Sequence, residues 1–137
     1  MKKIKVTNGY LERIISNSSI IKKSFTTKTS YWLARIFDRF RQEAKVYFSE
    51  RQKLIEKYAK RHDKDGEGFK KGDMVMRGQD IILENVGEFQ KEMASLSEIE
   101  IEIGFDKIPF DLDKEPPCTV EEMELLLPLI EVKEIVS

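Results

Sequence analysis

Cysteine and histidine are nearly absent: the chain holds one of each among 137 residues. A single cysteine, Cys118, excludes an internal disulfide and any cysteine-based zinc cluster. It follows two prolines without a cationic cluster to lower its pKa, which argues against a nucleophile. The single histidine, His62, lies beside Arg61 with no Ser or Cys spacing that would mark a catalytic triad. The seven glycines are scattered, and neither G-x-x-x-x-G-K nor G-x-G-x-x-G occurs, so no phosphate-cradling loop is encoded. Long apolar runs are missing too. LLLPLI at 125–130 is far short of the roughly 20 residues that span a bilayer, and it contains a proline. The opening MKKIKV passes straight into polar TNG, without the apolar core of a signal peptide. These absences set the expectation of a non-enzymatic chain in a reducing cytoplasm, with no catalytic residue, metal or cofactor.

What is present suits one folded domain. Hydrophobic residues make up 40% and charged residues 36%, a composition able to bury a core. The net charge of −1 hides a strong asymmetry. Residues 1–61 carry 16 Lys and Arg against 5 Asp and Glu, whereas residues 62–137 carry 8 against 20. Either the basic and acidic halves pack together and neutralise each other, or a basic surface stays free for nucleic acid or an acidic partner.

Periodicity then orders the chain. Ile4 and Val6 alternate around Lys5 as a short strand, and Thr7-Asn8-Gly9 supply a turn or helix N-cap before Leu11, Ile14 and Ile15. The spacing predicts a first helix over about 9–17, and SNSS at 16–19 weakens its end because these side chains compete for backbone hydrogen bonds. From a Thr29 or Ser30 cap, Leu33, Phe37, Phe40, Ala44, Tyr47, Leu54 and Tyr58 form a helical seam. This helix, free of Gly and Pro to about residue 61, would reach about 48 Å. It needs an antiparallel partner within the chain or a second subunit. Val86, Phe89, Met93 and Leu96 offer the internal partner, a helix over about 84–97. Between the helices, Met74–Met76 and Ile81–Leu83 flank Arg77-Gly78-Gln79-Asp80 as a β-hairpin.

In SEIEIEIGF, Ile99, Ile101, Ile103 and Phe105 share one face and Glu98, Glu100 and Glu102 the other. That is a half-buried strand, expected to pair with residues 3–6 so that the lysines sit near the glutamates. DKIPFDLDKEPP reads as an irregular or edge segment. Thr119 with Glu122 forms a capping box for a short helix that Pro128 ends or bends. The predicted architecture is a single α+β domain over 1–137. It comprises a long antiparallel helical hairpin with a β-hairpin at its tip, and a small sheet plus short C-terminal helix at its base.

DKDGEG at 63–68 places Asp63, Asp65, Glu67 and Gly68 on early landmarks of a calcium-binding EF-hand loop. Its twelfth position, however, is Met74, whose thioether cannot replace the bidentate glutamate. Lys70 and Lys71 add positive charge, and a strand follows instead of the exiting helix. The segment is expected to be an acidic turn.

The remaining chemistry is binding. Lys22, Lys23, Lys28, Trp32, Arg35, Arg39 and Arg41 form the densest basic region, with Tyr31 and Phe40 interspersed. Such a region fits contacts with a protein partner, either a second copy or another protein, and alternatively with nucleic-acid phosphates and bases.

The order of elements resembles a family of small phage and prophage proteins of unknown function, encoded in tailed-phage genomes. The resemblance rests on IKVTNGYLERI, TSYWLARIFDRF, EAKVYFSERQKLIEKYA, DKDGEG, VGEFQKEMASLSEIEIEI and TVEEMELLLPLIE, and covers nearly the whole chain. It implies a phage accessory protein of the host cytoplasm or the virion, acting through protein–protein contacts in virion or tail assembly. The alternative is a nucleic-acid-binding phage regulator using the basic N-terminal half. It transfers no catalytic residue.

Overall fold

The computed structural model describes residues 3–133. It is an α+β protein with four α-helices and three two-stranded sheets among the described residues. The elements are β1 (Lys3–Thr7), α1 (Asn8–Ser16), α2 (Thr27–Tyr58), β2 (Met76–Arg77), β3 (Asp80–Ile81), α3 (Val86–Glu98), β4 (Glu100–Gly104), β5 (Ile108–Asp111), α4 (Val120–Leu126) and β6 (Ile130–Lys133). A 3-10 turn, Ser18–Lys22, follows α1, where SNSS stops the α-helix. The chain forms two compact units, one of residues 1–45 with 98–137 and one of residues 46–97. Helix α2 contributes residues 27–45 to the first and 46–58 to the second.

The first unit gathers residues from Val6 to Ile130 around one apolar cluster. β1 pairs antiparallel with β4 in the register Ile4↔Ile103, Lys5↔Glu102 and Val6↔Ile101. Val6 and Ile103 are buried beneath the pair, and Lys5 and Glu102 lie exposed opposite each other. Ile99 departs from the expected inward row: the strand begins only at Glu100, and Ile99 is exposed. Its carbonyl instead accepts from Asn8 N at the entry to α1. Thr7 caps α1, its side chain accepting from Tyr10 N at 3.0 Å. Leu11 and Ile14 of α1 then meet Leu33, Ile36, Phe37, Phe40 and Ala44 of α2 in the core. Phe40 makes edge-to-face contacts with Tyr10 and Phe105, the geometry that aromatic quadrupoles favour. The Tyr10 hydroxyl donates to Leu125 O at 2.6 Å, and burial holds its phenol well above the usual tyrosine range.

β5 and β6 pair in parallel, from Ile108↔Ile130 to Asp111↔Lys133, with α4 between them in the chain. Thr119 and Glu122 form the expected capping box. As expected, the α-helix ends just before Pro128, at Leu126. The proline sits in a 3-10 turn that delivers Leu129 and Ile130 into the core, so the LLLPLI stretch serves helix, turn and strand in succession.

In the second unit the end of α2 and helix α3 run antiparallel. Tyr47 Oη lies 3.5 Å from Ser97 Oγ, Tyr58 packs edge-to-face on Phe89, and Lys57 pairs with Glu92 at 3.3 Å. Helix α2 stops at Tyr58, three residues before the expected end. The segment after it is extended because its backbone is claimed from both sides. Lys60 N donates to Ile82 O, Ile82 N to Val75 O and Val75 N to Lys60 O, at 2.8–2.9 Å, closing a ring of three strand-like segments. β2 and β3 form the expected hairpin, with Gly78 at positive φ in the two-residue turn. DKDGEG is a turn: Gly66 pairs with Phe69, and Gly68 takes φ +84°. The Phe69 ring stacks on His62 with centroids 3.7 Å apart.

The seam of α2 is occupied within the chain. Its first part is buried in the core of the first unit, and Tyr58 meets α3 in the second. The charge asymmetry also disappears at the level of the units. Residues 46–97 carry 10 basic and 10 acidic side chains, leaving 14 against 15 for the remainder.

Candidate binding cleft

Helix α2 begins at Thr27, two residues before the expected cap. Its N-terminus is held by a carboxylate distant in sequence. Glu115, buried, accepts from Thr26 N at 2.8 Å and from Thr26 Oγ1 at 3.3 Å. This anion satisfies donors that the first helical turn leaves unpaired. It also ties the loop after β5 to the start of α2.

Two cavities open beside this face of the first unit. The larger, about 640 Å³, lies between α2 and the segment joining β4 to β5. The smaller, about 180 Å³, lies between the start of α2 and β5–β6. Trp32, Ile108 and Pro109 line both, so the two are parts of one cleft divided at Trp32.

Helical spacing fixes what the cleft displays. Trp32, Arg35, Arg39 and Glu43 recur at three or four residues, so one stripe of α2 faces it while Phe37, Phe40 and Ala44 face the core. Tyr31 and Trp32 meet edge-to-face at 5.2 Å and remain 53% and 43% exposed. The Arg35 guanidinium lies 5.8 Å and 5.7 Å from their ring centroids and donates to Tyr31 Oη at 3.0 Å. Arg39 Nη1 donates to Gly104 O at 3.0 Å, which fixes its stem against the end of β4. From the opposite wall come Phe105, Asp106 and Lys107.

The seven basic-region candidates separate in space. Trp32, Arg35 and Arg39 line the larger cavity, and Lys28 lines the smaller. Lys22 is exposed on the 3-10 turn and Arg41 is exposed on α2, and neither lines the cleft. Lys23 pairs with Glu122 at 3.1 Å and donates to Pro117 O. It is the one of the seven engaged in an ion pair among the described residues. Glu122, accepting from Thr119 N and facing this ammonium, is held below the usual carboxylate range. Lys107, Lys114 and Lys133 were not signalled by the sequence, because they reach the cleft only through the parallel β5–β6 pairing.

Burial, and the neighbouring Glu122 carboxylate, raise the Cys118 thiol pKa, which disfavours a thiolate there. Among the described residues no group of three or more His, Cys, Asp and Glu could hold a metal ion, and no helix is long and apolar enough to cross a membrane. Comparison with family models, curated proteins and solved structures finds no match for this chain.

Proposed function

We propose that this chain is a non-enzymatic phage or prophage accessory protein that works in virion or tail assembly through protein–protein contacts, in the host cytoplasm or on the particle. The observation that carries the reading is the exposed Tyr31–Trp32–Arg35 cluster at the mouth of a 640 Å³ cleft. Tyr, Trp and Arg dominate the energetics of protein interfaces, and here a packed unit holds them in place without covering them. The partner is a second copy of the chain or another phage protein. Co-expression with the proteins encoded beside its gene, followed by gel filtration and sedimentation velocity, tests this reading. The expected result is a stable complex or a concentration-dependent dimer that Trp32→Ala disrupts. A strictly monomeric chain at high concentration that co-elutes with none of those proteins would contradict it.

The second reading is a nucleic-acid-binding regulator. It is favoured by Lys28, Arg35, Arg39 and Arg41, four exposed cations on α2 that take part in no ion pair among the described residues. Binding of that kind loses affinity steeply with salt. A mobility shift at low ionic strength that vanishes at high ionic strength would support it, and no shift at low ionic strength would exclude it.

A further inference from the structure

We propose that the outer edge of β1 in one copy of the chain pairs with the outer edge of β4 in the next, so that copies join head to tail through one antiparallel sheet. This rests on the assembly reading above and adds a self-contact made by strand edges.

Register decides which backbone groups face outward. Asn8 N donates to Ile99 O at 3.0 Å, in the same ladder as Val6↔Ile101 and Ile4↔Ile103. In an antiparallel pair such hydrogen-bonded residues alternate with residues whose N–H and C=O point away from the partner. Lys3, Lys5 and Thr7 therefore turn their backbone groups out along one edge, and Glu100, Glu102 and Gly104 along the other. Arg39 Nη1 reaches Gly104 O at 3.0 Å from that outer side, in agreement. Among the described residues no third strand joins either edge, and no backbone group outside the ladder bonds to Lys3, Lys5, Glu100 or Glu102.

Side-chain charge then chooses the occupant. Lys3, Lys5, Glu100 and Glu102 are exposed, and none takes part in an ion pair among the described residues. Two copies meeting β1 to β1 would set lysine opposite lysine, and β4 to β4 would set glutamate opposite glutamate. Like charges directly opposite destabilise a strand pair. β1 against β4 instead sets Lys5 opposite Glu100 and Lys3 opposite Glu102, in a register that leaves Gly104 O to Arg39. Charged edges protect a sheet from unwanted pairing. Here each edge is protected against its own kind and not against the other.

The apolar face agrees. In this register Ile4 lies opposite Ile101 and Val6 opposite Ile99, at the closely spaced positions of the ladder. Ile99 is 51% exposed, and Ile4 and Ile101 are only partly buried, so the added strand covers apolar surface that one copy leaves open. Each copy carries one edge of each kind, so the contact repeats as an open chain or closes as a ring. A contact of a few residues per strand is weak and forms at high concentration.

The test is sedimentation velocity of the full chain over a rising concentration series, at low and high salt. The expected result is growth beyond a dimer that salt weakens. Lys3→Glu with Lys5→Glu, and separately Glu100→Lys with Glu102→Lys, should each weaken growth by about tenfold or more, because two attractive pairs become repulsive. An equal mixture of the two double variants should restore growth, since each edge again meets its opposite. Glu124→Lys with Glu131→Lys makes the same charge change at exposed residues outside both strands and should leave growth unchanged. Glu102→Pro deletes one outward N–H without removing a β1 ladder bond, and should weaken growth in a chain that still folds. Circular dichroism melts establish that each variant folds. Growth that stops at a dimer, growth that both double variants retain, or a mixture no better associated than its components would overturn the proposal. A chain that stays monomeric alone yet forms a complex with a co-expressed protein would also overturn the edge contact while leaving the assembly reading in place.

Discussion

The two units are built on different physical terms. The first buries eighteen hydrophobic residues in one cluster, eight of its side chains coming from α2, β4 and β5. The second buries only Tyr47 and Ala59, and helix α3 buries none. Its apolar side chains, among them Leu54, Tyr58, Phe89 and Met93, are half-exposed. What holds it is the ring of backbone hydrogen bonds at Lys60, Val75 and Ile82, the Tyr58–Phe89 contact and an exposed ion pair. Exposed pairs and solvent-facing hydrogen bonds stabilise weakly, and a deep core stabilises strongly. The packed core behind the cleft supports the helix that carries Trp32, Arg35 and Arg39, and a surface ordered in advance would lower the cost of binding the proposed partner.

The largest expected effect comes from emptying the stronger unit. Phe40 is fully buried between Tyr10, Phe37 and Phe105, and Phe40→Ala should cost about 3–5 kcal/mol in urea unfolding. A loss below about 1 kcal/mol would erase the distinction between the units. Next is Gly66→Ala in the weaker unit. An added Cβ would sit 2.1 Å from Phe69 Cζ, so the ring must leave its stack on His62. The expected cost is about 1–3 kcal/mol, detected as faster exchange of amides in 62–73 while the Phe40 region is unchanged. Equal exchange in mutant and wild type would show that the stack is not what orders this turn.

Much of this contrast was legible in the sequence, and the reasons are local. Alternation over Glu100–Ile103 and at Ile4–Val6 gave the β1–β4 pairing, because one buried face fixes register. Thr119 with Glu122 identified the cap of α4 from two side chains three residues apart. The seam of α2 was equally visible, but periodicity says that a face is covered without saying by what. The β5–β6 pairing was hidden because LLLPLI, with its proline, reads as a helix end. The candidate site was half legible for the same reason. Its α2 wall could be read from Trp32, Arg35 and Arg39, whereas its other wall depends on long-range pairing that brings Phe105–Pro109 opposite.

A smaller effect is expected at the start of α2. Glu115→Ala removes the acceptor for Thr26 N and should cost about 1–2 kcal/mol, with increased exchange of residues 26–30. Unchanged exchange there would mean that the capping is made by other groups. The smallest is a pH effect. Because the Glu122 carboxyl is depressed by its Thr119 backbone bond and then by Lys23, its contribution is present above the usual carboxylate range. It is lost as pH falls through the depressed value. The Thr119 amide resonance should follow that titration below the usual carboxylate range and lose it in Glu122→Gln. A titrating resonance in the Gln variant would assign the effect to another group.

The central claim is that partners engage the cleft of the well-packed unit and not the loosely packed one. Hydrogen–deuterium exchange of the intact chain, alone and in the complex isolated by co-expression, tests it directly. Protection confined to 28–43 and 104–111 is the predicted result, and protection centred on 46–97 would contradict it.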